Sequence, residues 1–440
     1  MHKILFHAGL SPLAQPSMKR VFMDNIFTNN SGNLLFQYGA YRTLMTDDAE
    51  ITATFFDRQA NQSPQSVERF NSEYACAVMP MANNFRGSYN LKPMTRFIRQ
   101  LKIPCIVMGI GLQASDPALI AQGFPFDDDV RDFVKAILDH SAILGLRGEM
   151  TADYLQKLGF TPERHFTVIG CPSMYSRGLN LPKARPLSLG PDSSVSFGYR
   201  IDQPAEMAEL LNRGMAEFKN YHIVAQRREE IFMLRYGRPL VYTYDKANRC
   251  ASLYPHDATH PAVREGRMVG FTSAHAWLKF MEGMDFNMGS RIHGNIAAVL
   301  SGTPTLALTL DTRMEELCRY HNIPHIPASQ IDPAADPRTL CEGVDFNQIQ
   351  KGHAQRFAHF VDFMDSNGLD HIFKNGASGE NAPMDRALAV LPEWGMVIPE
   401  TPVPMSVRLE GLALDQHRKL RDSYHALSKA RRKKKAGSRT

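Results

Sequence analysis

The sequence predicts an α/β protein built from two parallel-sheet units, and three observations carry that prediction. Short apolar runs alternate with helix-period segments along most of the 440 residues, the pattern of parallel strands covered by helices on both faces. A stretch rich in Pro, Gly and Leu, "RGLNLPKARPLSLGPDSS" at 177–194, interrupts the alternation, which then resumes. The chain is also too long for one ordinary core, which favours units of roughly 150–200 residues.

The elements follow in order. "KILFHA", "ITATFF", "ACAVMP", "PCIVMGIG" and "AILGLR" read as buried strands, separated by helical "NLLFQYGAYRTLM", "LKPMTRFIRQL" and "VRDFVKAILDH". Beyond the linker come "SVSFGY", "YHIVAQ", helical "SAHAWLKFMEGM", "MDFNMG" and "PTLALTL". This gives a first α/β unit over 1–180, a second over 195–345, and a C-terminal extension over 350–440. In the extension, 353–375 reads as one amphipathic helix, "LPEWGMVIPETPVPM" as an extended Pro-rich segment, and a further helix precedes the basic end. Two open α/β units place a cleft between the carboxyl ends of their sheets, where ligands bind in such folds.

Composition narrows the class. Apolar residues are 43% and charged residues 22% of the chain, ordinary for a soluble globular enzyme. No apolar run reaches the about 18 residues of a spanning helix, and "MHKILFHAGL" reads as a first strand rather than a signal peptide. The six cysteines (76, 105, 171, 250, 318 and 341) are scattered without a C-x-x-C pair, which argues against a disulfide framework or zinc site and fits a reducing cytoplasm. The net charge of +5 is misleading: the last twelve residues, "KARRKKKAGSRT", hold seven cations and no acid, leaving 5 − 7 = −2 for the rest. That tail reads either as a solvated, disordered end or as a contact for anionic lipid headgroups. Nucleic acid is disfavoured, because no aromatic residues interleave the cations.

The chemistry-bearing clusters fall just after predicted strands. In "GSRIHGN", Ser290 is expected to cap a helix whose buried stripe is Ile292, Ile296 and Val299. The mouth of such a helix favours an anion. Arg291 and His293 are two residues apart and diverge by about 200° on a regular helix, so both reach one ligand only from the first turn. Arg147, in "GLRGEMTADYLQKLG", stands at a strand end suited to a bidentate grip on carboxylate or phosphate, and Thr151 faces inward or caps. Asn30, Gly32 and Asn33 form a turn before a helix, with no Walker lysine. Asn83, Asn84 and Arg86 make an amide-rich loop suited to sugar hydroxyls, and Asp311 and Arg313 open another helix at the cleft. Together these suggest a small ligand with more than one negative charge.

These segments, in this order, resemble the polysaccharide pyruvyl transferase family over about residues 25–330. "NNSGN" is similar to its N-x-G-D turn, "KIPCIVMGIG" to its central strand and "LRGEMTADYLQKLG" to its R-D-x-x-S-x-x-x-L-x-x-L-G helix. "SRIHGNIAAVLSGTP" is similar to its S-R-x-H helix and is the most specific segment. The resemblance implies two Rossmann-like domains in a GT-B-like arrangement with an interdomain cleft. It implies transfer of the enolpyruvyl group of phosphoenolpyruvate to a sugar, giving a pyruvate ketal and phosphate. Phosphoenolpyruvate is then a co-substrate; no cofactor or metal is called for, and the acceptor sugar is free or lipid-linked. The implied location is the cytoplasm, at or away from the inner face of the membrane.

By the same resemblance Ser290, Arg291, His293, Arg147 and Arg313 form the donor site, with His293 the acid/base residue and Arg291 its catalytic neighbour. Asn30, Asn33, Asn83 and Asn84 fall on the acceptor side. The chain departs from the family's pattern in three places: Asn33 stands for Asp, with Asp24 or Asp311 as replacement carboxylates, Arg313 for Lys, and "MANNF" for a glycine-rich loop. Two other readings stand beside this one. A nucleotide-sugar glycosyltransferase would need an acid for the ribose hydroxyls, Glu315 or Glu316. A non-catalytic carbohydrate-binding protein would keep the fold without turnover.

Overall fold

The computed structural model describes residues 2–56, 58, 63–114, 118–201, 203–240, 254–332 and 334–437, with side chains as far as Tyr424. Four parallel strands form the first sheet in the order β2-β1-β3-β4: β1 (His2–His7), β2 (Ala49–Thr54), β3 (Cys76–Pro80) and β4 (Cys105–Met108). β5 (Leu144–Leu146) and β6 (Phe166–Val168) pair in parallel and continue it. The join is made just beyond β4, where Gly109 and Ile110 donate to the Gly145 carbonyl and Ile110 bridges Leu146.

The second sheet has seven strands in the order β12-β11-β10-β7-β8-β9-β13. They are β7 (Ser194–Gly198), β8 (Asn220–Ala225), β9 (Met268–Phe271), β10 (Phe286–Gly289), β11 (Thr305–Thr309), β12 (His325–Pro327) and the antiparallel edge β13 (Met396–Val397). Both sheets are doubly wound. Strand order reverses between β1 and β3 in the first and between β7 and β10 in the second, and ligands collect at the carboxyl ends of such switch points. At the second switch point Gly289 lies opposite Gly198. A Cβ on Gly289 would come 2.6 Å from the Gly198 Cα, so only glycine lets these strand ends close up.

The predicted strands that the sequence marks as continuous apolar runs are buried on both faces: β3, β4, β10 and β11 are almost wholly inaccessible. Helix 33–44 and helix 292–300 share one core with helices 274–282 and 353–366, filled by Trp277, Tyr175 and Phe360. That shared core joins the two sheets and fixes the cleft between them in the GT-B-like arrangement. Residues 21–27 pack Val21, Phe22, Ile26 and Phe27 into the core of the second sheet, although they precede most of the first. Residues 180–190 carry neither helix nor strand, and Arg185 ties them to the second sheet through the carbonyls of Met284 and Ser301.

One expectation for the extension is corrected. The helix read over 353–375 ends at Ser366. Asn367 donates to the Phe363 carbonyl at 3.0 Å and accepts from Ala142 N at 3.1 Å, and Gly368 takes φ +66, so the chain turns away. The helix expected before the basic end runs from Met405 to Gly437. Among the described residues no helix is long and apolar enough to cross a membrane. Cys76, Cys105, Cys171, Cys318 and Cys341 are free thiols; Cys250 lies outside the described residues.

Candidate functional site

A cavity of about 350 Å³ lies between the two switch points. His7, Pro80 and Met81 reach it from the ends of β1 and β3, and Ser290 to His293 from the end of β10. The nine residues expected for the donor and acceptor sites line it: Asn30, Asn33, Asn83, Asn84, Arg147, Ser290, Arg291, His293 and Arg313.

The S-R-x-H segment achieves this because its helix begins one residue later than expected. Arg291 is the residue before the first turn, with φ −124 and ψ 110, so it is extended rather than helical. The 200° divergence of a regular helix therefore does not apply, and both Arg291 and His293 face the cavity. Ser290 is not the cap. Its hydroxyl is fully buried and donates to Gln203 Oε1 at 2.7 Å, on the loop after β7.

The turn is held instead by Asn295, which donates to the carbonyls of Gly289 and Arg291, both at 3.0 Å. Asn295 Oδ1 in turn accepts from Asn287 at 3.1 Å and Thr305 at 2.8 Å. Asn287 accepts from Ser196 at 2.8 Å, which links strands β7, β10 and β11 to the turn. All four groups are buried and mutually satisfied, the condition under which a polar network stiffens a core.

Arg291 is not a free cation. Its Nε donates to the Tyr199 carbonyl at 3.0 Å, and its Nη2 pairs at 3.2 Å with Glu230, a carboxylate with 0% exposure. The other oxygen of Glu230 accepts from the backbone N–H groups of Gln226 and Arg227, so the pair is anchored at the end of β8. Arg147 differs. It is 1% exposed and its donors meet only neutral acceptors, Asn83 Oδ1 at 2.8 Å and the Met81 carbonyl at 3.4 Å, while its Nε has no partner. Burial, reinforced by the nearby charge of Arg313, lowers its guanidinium below the ordinary range. Arg313 pairs with Asp311 at 3.1 Å, and burial lowers it as well.

His293 sits among these cations with its Nε2 buried and unpartnered. Burial, then the positive charges of Arg147 and Arg313, pushes its imidazole down to about 3. The ring leans on Phe36, with centroids 5.7 Å apart. Gly32 makes room for it: a Cβ there would come 2.9 Å from the His293 Nδ1. Asn30 closes the preceding turn by accepting from Gly32 N at 2.8 Å. Asn33 donates its amide to the Thr28 hydroxyl at 2.7 Å and the Phe27 carbonyl at 3.1 Å. A carboxylate could not donate to that carbonyl, which gives a local reason for Asn where the family has Asp. Asn84 accepts from Ala82 N at 3.1 Å and shapes its own loop.

The four carboxylates considered for the site, Asp24, Asp311, Glu315 and Glu316, do not line the cavity. Asp24 pairs with Arg20 at 3.1 Å and does not line the cavity. Glu315 is bound to Arg319. Glu316 accepts from Thr151 N at 2.9 Å at the start of helix 149–157, and burial pushes it up to about 7. Thr151 itself faces inward, accepting from Leu112 N at 3.0 Å. Asp311 caps its own helix through Met314 N.

The motif-based reading missed His7, Gln37, Tyr89, Arg200, Gln226 and Arg227, which also line the cavity. Four of them share a positional signal: His7 ends β1, and Arg200, Gln226 and Arg227 come just after β7 and β8. With them the described lining holds six arginines (86, 147, 200, 227, 291 and 313) and neither Asp nor Glu.

Two doubly wound sheets meeting at an arginine-lined cavity define an α/β protein of two Rossmann-like units. The sequence matches the family described as polysaccharide pyruvyl transferase over residues 24–312, more than half of the chain. The chain belongs to that family. A comparison with curated proteins gave no match.

Among solved structures, the chain is similar to a functionally uncharacterised protein from Klebsiella pneumoniae, at 15% identity and TM-score 0.38, covering 72% of this chain and 88% of that one. It is also similar to a UDP-GlcNAc 2-epimerase from Neisseria meningitidis bound to UDP-GlcNAc, at 9% identity and TM-score 0.38, covering 88% and 100%. A third is the glycosyltransferase SnogD from Streptomyces nogalater, at 13% identity and TM-score 0.33, covering 88% and 99%. These likenesses concern the path of the chain alone.

Proposed function

We propose that this protein transfers the enolpyruvyl group of phosphoenolpyruvate to two hydroxyls of a sugar in a polysaccharide or glycan precursor, forming a pyruvate ketal and releasing phosphate. One observation carries the reading: a switch-point cavity whose described lining holds six arginines, an imidazole with an unpartnered Nε2, and neither Asp nor Glu. The donor carries a carboxylate and a phosphate, and an excess of cations along the described lining suits such a molecule. In this reading Arg147 and Arg313 meet the two anionic groups. Arg291, with Nε and Nη2 committed, offers Nη1 and holds the turn in place. Asn30, Asn33, Asn83 and Asn84 border the acceptor, with Ser290 supporting from beneath.

His293 is neutral in the free protein because burial, and then the charges of Arg147 and Arg313, disfavour its protonated form. Bound anions offset those charges and raise its basicity, so donor binding favours uptake of the proton that the reaction needs. His293 gives that proton to the methylene carbon, and the adjacent carbon gains cationic character. A sugar hydroxyl adds there and its proton passes back to His293. Phosphate leaves as its bond to that carbon breaks, and the second hydroxyl closes the ketal while its proton goes to the departing phosphate. Arginines already in place stabilise the charge that moves onto phosphate.

The test is incubation with phosphoenolpyruvate and galactose-, mannose- and glucose-containing acceptors, reading phosphate release. Release that needs both partners and no nucleotide sugar supports the reading; turnover with nucleotide sugars alone would replace it. His293→Ala should abolish turnover with the protein still folded, and near-normal turnover would remove His293 from the mechanism.

A further inference from the structure

The C-terminal helix Met405–Gly437 lies on the second sheet by one face only. The inner face is Val407, Gly411, Leu414, Arg418 and Arg421, spaced 4, 3, 4 and 3. Leu414 is 7% exposed, and a Cβ on Gly411 would come 2.6 Å from the Tyr236 Cβ. Asp415 binds Arg238 at 3.3 Å and Arg418 at 2.9 Å, and Arg421 donates to the Met23 carbonyl at 3.2 Å. These contacts fix the helix against residues 228–238 and 18–23 and determine which side looks out.

That outer side carries an exposed apolar stripe, interrupted by Gln416 and Ser423. Met405 (68% exposed), Leu409 (57%), Leu412 (38%), Leu420 (72%) and Tyr424 (69%) recur at helical spacing. At about 100° per residue they fall within one sector opposite the inner face. No acid falls in that sector: Glu410 and Asp415 are half-buried against the body of the protein, and Asp422 projects from the other side. Arg408 and Lys419 border the stripe. The chain then continues through "KARRKKKAGSRT", seven cations without an acid, on the same helix as far as Gly437.

We infer that this helix is a membrane-surface anchor: the stripe enters the headgroup boundary of an anionic bilayer and the basic end binds its lipid phosphates. An exposed apolar stripe on a helix of low mean hydropathy, bordered and followed by cations, has the form of an in-plane amphipathic helix rather than a spanning one. Charge selects the partner. Seven cations repel a second copy of the same end, whereas each is attracted to an anionic leaflet. The inference is independent of the transferred group and stands or falls without it.

The experiment is flotation of the full-length protein with vesicles of phosphatidylcholine plus phosphatidylglycerol, and with phosphatidylcholine alone. Binding should need the anionic lipid and weaken as salt rises. Leu409→Ser and Leu420→Ser change exposed side chains, so the fold should hold, and each should weaken binding by about tenfold. Replacing Lys433, Lys434 and Lys435 by Gln should weaken binding at low salt and reduce the salt dependence. Equal binding to both vesicles, no binding to either, or full binding by the doubly substituted protein would overturn the anchor. So would a concentration-dependent dimer, seen by sedimentation, that the Leu→Ser changes dissociate, because the stripe would then be an interface between copies.

Discussion

Replacing His293 by Gln should remove an acid-sensitive contribution to folding. Its imidazole has an ordinary value of 6.5 and is held at about 3 by burial and by Arg147 and Arg313. Between those values the unfolded chain binds a proton that the folded chain does not, so stability rises with pH across that window. The penalty is absent above 6.5 and grows by about 1.4 kcal/mol for each pH unit below it, until the folded state protonates too. At about pH 4.5 this one group has cost the native chain roughly 2–3 kcal/mol relative to neutral pH. His222, His321 and His371 are lowered as well, burial being the first cause of each, so both proteins lose stability in acid.

The informative quantity is therefore the difference between the two proteins. Urea unfolding at about pH 7.5 and about pH 4.5 should show a fall smaller by roughly 2–3 kcal/mol in His293→Gln. Equal falls would refute the account of a neutral imidazole pinned among guanidinium groups. A second arm reads the same group from the other side. Binding of phosphoenolpyruvate near pH 6 should take up protons, seen as an enthalpy that changes with the buffer, and His293→Gln should abolish that dependence.

Three further substitutions test the supports of the site. Glu230→Gln leaves the 8%-exposed Arg291 without its carboxylate and should destabilise the fold by about 3–5 kcal/mol, read as the urea midpoint. Gly32→Ala sets a methyl group 2.9 Å from the His293 Nδ1. It should displace the ring, cost about 1–3 kcal/mol in thermal unfolding and cut turnover more than its effect on stability explains. Asn33→Asp puts a carboxylate against the Phe27 carbonyl and should cost about 1–3 kcal/mol, an effect that shrinks in acid as the carboxyl takes up a proton. No loss at neutral pH would show that the Asn33 amide is not required there.

How much was legible in the sequence depended on what each element has to bury. β1, β3, β4, β7, β10 and β11 were visible because a parallel strand covered on both faces must be apolar throughout. β6, β9, β12 and β13 were not read as strands, for local reasons. β6 and β12 are three residues long, and β12 ends in Pro327. β9 contains Gly270, against which Ile231 packs, and β13 is two residues of an edge inside a Pro-rich stretch. The helix at 353–375 was overextended because apolar spacing continues past Asn367. Its end is set instead by an amide that reaches residues 142 and 143 on a distant part of the chain.

The site divided along the same line. Arg147, Arg291, His293 and Arg313 stand out in the sequence because a charged group at a strand end or helix mouth violates the local apolar pattern, and all four line the cavity. Glu230 and Asn295 were not found, although the geometry of the motif rests on them. Glu230 stands in "RREEIF", which reads as an ordinary charged helix start, and its partner lies 61 residues away. Asn295 occupies a position that reads as one more small residue in a buried helix, while its four bonds reach β10, β11 and the turn before it. A polar side chain in an otherwise apolar buried helix must be satisfied by something. Three residues past the start of an arginine- and histidine-bearing turn, the carbonyls of that turn are the acceptors within reach. Applied to "SRIHGNIAAVL", that rule picks out Asn295 from the sequence alone. No local rule picks out Glu230, because what makes it special is the end of β8 running alongside the end of β7.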